Sequence, residues 1–277
     1  MTRKFLTSLF VLAFLWFASG QVQAQQPAPP EITKINLPQA EIDRIIKAFS
    51  AKEAEFRQAL TQYGFKREAT IQTIGFGGQV TGEYRRDSHF VFADNGDRFE
   101  KVLFAPLPTL KEVQMTAEDL TDLNGVNQFA LEASKINLYN FTLVGKEKID
   151  ELNLYVFDVA PKVMPDPKKT KERLFQGRIW VDDVDLQIVK SKGKGVPEWR
   201  DNKFPIVEIW RENIDGKYWF PTYSYANDQL YFEKSGQTVR LKMKVKFTDY
   251  KQGHSDVRIL DDEEVVNDKP QPTPKKP

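Results

Sequence analysis

The chain has 277 residues, with 40 Lys and Arg against 39 Asp and Glu and no cysteine. A formal net charge of +1 excludes the strong basic excess of a dedicated nucleic-acid binder. The missing cysteine excludes a disulfide framework, thiol catalysis and lipidation at a cysteine, so the fold rests on an apolar core, for which 20 Phe, 9 Tyr and 5 Trp supply ample surface.

The first residues read as an export signal. Arg3 and Lys4 form a basic segment, Phe5 to Ala18 an apolar one, and Val22-Gln23-Ala24 a small-residue cleavage site. The apolar run is short for a membrane span of about 20 residues. Residues 1–24 are therefore expected to be cleaved after Ala24, which places the mature chain in the periplasm. Residues 25–37, with Pro27, Pro29 and Pro30, read as a flexible linker. A domain is expected over residues 38–260 and a disordered tail over 261–277, which is acidic at Asp262, Glu263 and Glu264 and then Pro-rich.

Pro38 to Tyr63 reads as one long amphipathic helix. Ile42, Ile45, Ile46, Phe49, Phe56, Leu60 and Tyr63 recur at three- and four-residue steps, with Asp43, Arg44, Lys47, Glu53 and Arg57 on other faces and Gly64 as the C-cap. Such a stripe is either a lid across the mouth of a sheet or a helix packed on a core. Three strands follow, Glu68 to Ile74, Gln79 to Phe92 and Asp97 to Phe104. Gly75 to Gly78 is a loop, and Asp94-Asn95-Gly96-Asp97 a hairpin turn. The glycine cluster lacks the Lys-Ser/Thr ending of a phosphate loop. Thr116 to Asp119 resembles a capping box, and Leu120 to Ala133 continues at helical spacing, weakened at Gly125.

From Phe141 onward the pattern is nearly all strand: 141–146, 152–161, 174–181, 186–191, 204–212, 217–227, 229–233 and 239–249, separated by turn residues. Consecutive strands with short connections mean an antiparallel meander and leave no helices for parallel crossovers. The last strand alternates cleanly. Val239, Leu241, Met243, Val245 and Phe247 face one way; Arg240, Lys242, Lys244 and Lys246 face the other. The basic face is either the solvated back of the sheet or a surface for anionic lipid or a partner.

Within this run, Phe175 to Gly195 reads as a hairpin around which the chain is organised. Phe175, Gly177, Ile179 and Val181 share one face, Gln176, Arg178 and Trp180 the other, and Asp182 and Asp183 supply the turn. Phe-Gln-Gly-Arg-Ile-Trp-Val-Asp followed by Asp-Leu-Gln-Ile-Val resembles a hairpin of the LolA-like superfamily, the periplasmic lipoprotein carriers and their relatives. The resemblance implies an α+β fold: a strongly curved antiparallel β half-barrel, here of about 11 strands, with helices covering its concave face. It also implies an apolar pocket for a lipid or the acyl chain of a lipoprotein, with transient membrane contact allowed. An envelope protein as partner is the alternative. No nucleic acid, metal or cofactor is expected. Alternation nominates Phe175, Ile179, Val181, Leu241, Met243, Val245 and Phe247 as lipid-facing, and Ile42, Ile45, Ile46, Phe49 and Phe56 as the lid-helix face. The basic residue that latches the lid in those carriers has no aligned equivalent; Arg85 and Arg86 stand near by position.

No catalytic residues are assigned. Two histidines and no His-Glu-x-x-His leave a histidine metal site unsupported, and no Gly-x-Ser-x-Gly elbow is present. Asp182, Asp183 and Asp185 read as turn residues ahead of metal ligands. Glu208 and Asp228 are the first pair to inspect for glycoside chemistry, against outward polar positions as the simpler reading.

Overall fold

The computed structural model describes residues 31–116, 119, 131–170, 172–198 and 202–253. The expected signal and tail, and most of the second helical region, lie outside these residues. Thr116 and Asp119 are inside, and their reciprocal bonds are those of a capping box: the Asp119 N–H donates to Thr116 Oγ1 at 3.1 Å and the Thr116 N–H to Asp119 Oδ2 at 2.8 Å.

The helix α1 spans Gln39–Leu60. It ends three residues before the stripe does, because Tyr63 satisfies a strand period as well as a helical one and begins β1, Tyr63–Ile74. The last carbonyls of α1 are met from outside the helix. Arg98 donates through Nη1 to Leu60 O at 2.5 Å and to Tyr63 O at 3.1 Å, and the Thr61 hydroxyl donates to Gln58 O. Gly64 is thus a strand residue and not the C-cap. A Cβ there would sit 2.8 Å from Phe90 O, so close strand approach explains the glycine.

The other strands are β2 (Val80–Phe92), β3 (Arg98–Phe104), β4 (Tyr139–Ile149), β5 (Leu152–Pro161), β6 (Leu174–Asp182), β7 (Ile188–Val196), β8 (Val207–Ile214), β9 (Tyr218–Phe232) and β10 (Gln237–Gln252). They form one antiparallel sheet of 10 strands in the order β3-β2-β1-β10-β9-β8-β7-β6-β5-β4. The edges β3 and β4 do not pair, so the curved sheet stays unclosed, an α+β half-barrel. The strand count falls below the expected 11 because 217–227 and 229–233 run together as β9, paired without a break to β10 from Tyr223 to Phe232. The Asp215–Gly216 turn between β8 and β9 has φ of 54° and 67°, the left-handed pair that tight hairpins use.

The inner face carries two large apolar clusters under α1. The N-terminal half of the helix packs Ile45 and Phe49 against Phe157, Val159, Leu174, Phe175, Ile179 and Val181 of β5 and β6. The C-terminal half packs Phe56 and Leu60 against Phe65, Phe90, Phe220, Val245 and Phe247 of β1, β2, β9 and β10. One helix therefore bridges strands from both halves of the sheet.

Residues 31–37 depart from the linker reading. Thr33 and Lys146 exchange both backbone hydrogen bonds at 2.8 Å, while Ile32 packs on a smaller outer cluster of Leu154, Val156, Trp180 and Val189. The segment covers part of the exposed β4 edge, and Gly145 makes room for it, since a Cβ there would lie 2.3 Å from Thr33 O.

Candidate functional site

Beside α1, the inner face holds a cavity of about 650 Å³. Its floor is built by strand alternation. β8 contributes Val207, Ile209 and Arg211, β9 contributes Pro221, Ser224, Leu230 and Phe232, and β10 contributes Leu241, Met243, Val245 and Phe247. Ile71 of β1 and the segments 112–116 and 202–205, together with Asp119, Ser191, Ser235 and Gln237, complete the wall. Val207, Ile209 and Met243 are half-buried, so apolar surface stays open where a core would cover it. Ser191 and Ser224 lie opposite Ile209 in register, which sets two hydroxyls in the floor.

The structure separates the seven strand residues expected to face lipid. Leu241, Met243, Val245 and Phe247 line the cavity. Phe175, Ile179 and Val181 do not; they are fully covered by Ile45, Phe49 and their neighbours and are core. The lid-helix residues follow the same division. Ile42, Ile45, Ile46 and Phe49 pack on the first cluster and Phe56 on the second, and no α1 residue lines the cavity. The helix is thus a packed wall beside the cavity, not its roof. The two patterns are identical in sequence because both faces alternate; which strands the helix covers depends on its path across the sheet.

Arg211 was missed in the sequence, and Glu53 was placed on a polar helix face. In the structure they form a buried ion pair at the cavity wall. Arg211 donates to both Glu53 oxygens, Nη1 to Oε1 in a very short contact and Nη2 to Oε2 at 3.2 Å. Their side chains are 9% and 3% exposed. Arg211 also donates to Ile188 O at 3.3 Å and lies 4.5 Å over the Phe56 ring. Glu53 falls three positions before Phe56, beside the apolar stripe of the helix, but nothing local marks Arg211 as its partner.

Arg85 and Arg86 do not reach α1. Arg85 pairs with Asp87, and Arg86 with Glu100. Glu100 also accepts from Arg67 Nη2 at 2.7 Å and from the Ser88 hydroxyl. Burial pushes the Glu100 carboxyl up, but the Arg86 and Ser88 hydrogen bonds and the Arg67 charge outweigh it and bring it down to about 2.

The other carboxylates singled out in the sequence have structural partners. Asp182 accepts the N–H groups of Val184 at 3.1 Å and Asp185 at 3.0 Å, closing the β6–β7 turn. Asp183 pairs with Lys146 at 2.6 Å, and Asp185 accepts the Trp219 indole N–H at 2.9 Å. Glu208 lies opposite Tyr225 on the outer face, between Lys190 and Lys192. Asp228 lies opposite Leu241 on the inner face and accepts the Ile206 N–H at 2.8 Å. Facing opposite sides of the sheet, Glu208 and Asp228 cannot flank one glycosidic bond. Trp180 and Trp210 sandwich Lys190 on the outer face, with its Nζ 4.6 Å and 4.0 Å from their ring centres.

No protein-family model matches the chain, and no curated protein matches it. Among solved structures it is similar to a DUF1329 family protein from Desulfovibrio piger, at 15% identity and a TM-score of 0.34 over 76% of this chain and 95% of that one. It is also similar to a LolA superfamily protein from Nitrosomonas europaea, at 16% identity and a TM-score of 0.33 over 74% of this chain and 95% of that one. A third similarity, to the MucA/MucB complex of Pseudomonas aeruginosa, has 10% identity and a TM-score of 0.22 over 73% of this chain and 98% of that one.

Proposed function

We propose that this is an exported, non-catalytic binding protein of the LolA-like kind that holds a lipid, or the acyl chain of a lipoprotein, in the inner-face cavity, and that it works in the periplasm as a carrier. The observation that carries the reading is the 650 Å³ cavity floored by apolar side chains of β8, β9 and β10. The volume falls in the range of about 300–1,000 Å³ typical of small-ligand sites. Each methylene moved from water into such a floor contributes about 0.8 kcal/mol, so a chain of methylenes binds with little need for polar recognition. The export signal read over residues 1–24 is the basis for the location.

Native mass spectrometry of the mature protein, purified gently from the periplasm and followed by lipid extraction, tests the reading. A stoichiometric phospholipid or acylated peptide supports it. A clean unliganded mass that persists after incubation with lipid vesicles removes it.

A second reading, a scaffold or envelope-stress sensor that binds a protein, is favoured by the edge strand β3. Phe99, Val102, Leu103 and Phe104 there are 40–55% exposed, and an open edge accepts an added strand. Substituting Pro for Val102 would abolish such binding and leave lipid uptake intact.

A further inference from the structure

We propose that the outer face of β10 docks the protein onto an anionic membrane surface. Arg240, Lys242, Lys244 and Lys246 occupy successive outward positions, while Val239, Leu241, Val245 and Phe247 between them are buried. Alternate residues of a strand stand about 6.8 Å apart, so the four cations form one column along the sheet.

The column is not neutralised by its neighbours. Across β9 it faces Gln229, Asn227, Tyr225 and Tyr223. Across β1 it faces Ile74, Gln72, Thr70 and Glu68, of which Glu68 alone is acidic. None of the four cations is in an ion pair among the described residues. Many other strand cations are paired: Lys66 with Asp249, Arg85 with Asp87, Arg178 with Asp158, Lys190 and Lys192 with Glu208, and Lys194 with Glu198. Lysine is a poor strand former, and aligned like charges repel. The column therefore costs stability, and an array of anions outside the protein would offset that cost.

The aromatic residues beside the column favour a bilayer over a soluble polyanion. Tyr223 and Tyr225 stack at 6.4 Å and 9°, directly across from Lys246 and Lys244, and Tyr231 further along β9 is 55% exposed. Tyrosine rings with a polar tip gain from the headgroup level of a membrane, where cations on flexible stems reach phosphate. The cavity lies on the opposite face, so docking keeps the protein at the membrane with the cavity wall turned away from that bilayer. The inference is independent of lipid uptake by the cavity.

Flotation of the mature protein with vesicles of phosphatidylcholine alone, or with phosphatidylglycerol added, tests it. Binding is expected on the anionic vesicles, weakening as salt rises. The combined Lys242→Glu, Lys244→Glu and Lys246→Glu variant is expected to lose roughly 100-fold in affinity, and Lys244→Glu alone roughly 5-fold, which keeps the test available should the triple variant fold poorly. Met243→Trp, which narrows the cavity on the opposite face, is expected to bind vesicles unchanged, so a failure of the carrier reading is seen separately. Equal binding to neutral vesicles, an unaffected lysine variant, or binding to heparin without binding to anionic vesicles would each overturn the proposal.

Discussion

Arg211 of β8 and Glu53 of α1 form a buried two-point ion pair that ties the helix to the wall of the cavity. Removing one partner strands the other charge away from water. Glu53→Gln or Arg211→Ala is expected to lower stability by about 3–5 kcal/mol, while replacing both, as Glu53→Leu with Arg211→Met, loses much less. Urea unfolding of the three variants checks this. Equal losses in single and double variants would mean that side-chain volume, and not charge pairing, holds the helix.

Cavity and core respond differently to substitution. Ile179→Ala removes a fully covered side chain beneath α1 and is expected to cost about 2–5 kcal/mol while leaving affinity for a fluorescent acyl-chain probe unchanged. Met243→Trp sets a bulky ring into the cavity floor and is expected to weaken probe binding with little change in thermal midpoint. Paired titration and melting of both variants measures the separation.

Gly177 faces Gly193 across β6 and β7, and the two strands approach too closely there for side chains. A Cβ on Gly177 would lie 2.2 Å from Lys192 O, and one on Gly193 would lie 2.4 Å from Gln176 O. The obstacle in each case is backbone. Gly177→Ala is expected to destabilise by about 1–3 kcal/mol, read as a lower denaturation midpoint.

The Glu100 cluster sets an acid limit. Its folded carboxyl sits at about 2, below the ordinary 4.5. Above 4.5 the folded and unfolded states are both ionised and the full contribution is present. As pH falls below 4.5 the unfolded state takes up the proton first, and the contribution is lost as pH falls through about 2. Denaturation midpoints are expected to fall over that interval in the wild type and to fall less in Glu100→Gln, which starts less stable because Arg67 keeps its burial without its carboxylate.

The sheet was legible in the sequence where one face is wet. β10 alternates without exception from Val239 to Phe247, and Asp215–Gly216 and Asp94–Asp97 mark turns by their chemistry. The helix boundary was not legible, since Tyr63 fits either period, and β9 looked like two strands because Asn227 and Asp228 resemble a turn. The site was half legible. Alternation finds inward positions on β6 and β10 alike, yet α1 covers the first and leaves the second open. Arg211 and Glu53 gave no local sign, because their pairing joins residues 158 apart in sequence. The same holds for Thr33 at the β4 edge, in a Pro-rich stretch whose composition reads as linker.

Photo-crosslinking with a diazirine-bearing acyl lipid, followed by mapping of the labelled peptides, tests the central claim most directly. The account predicts saturable labelling on the inner positions of β8 to β10, among them Ile209, Leu241, Met243 and Val245, suppressed in Met243→Trp. Labelling centred on Phe175 to Val181, or labelling that does not saturate, would contradict it.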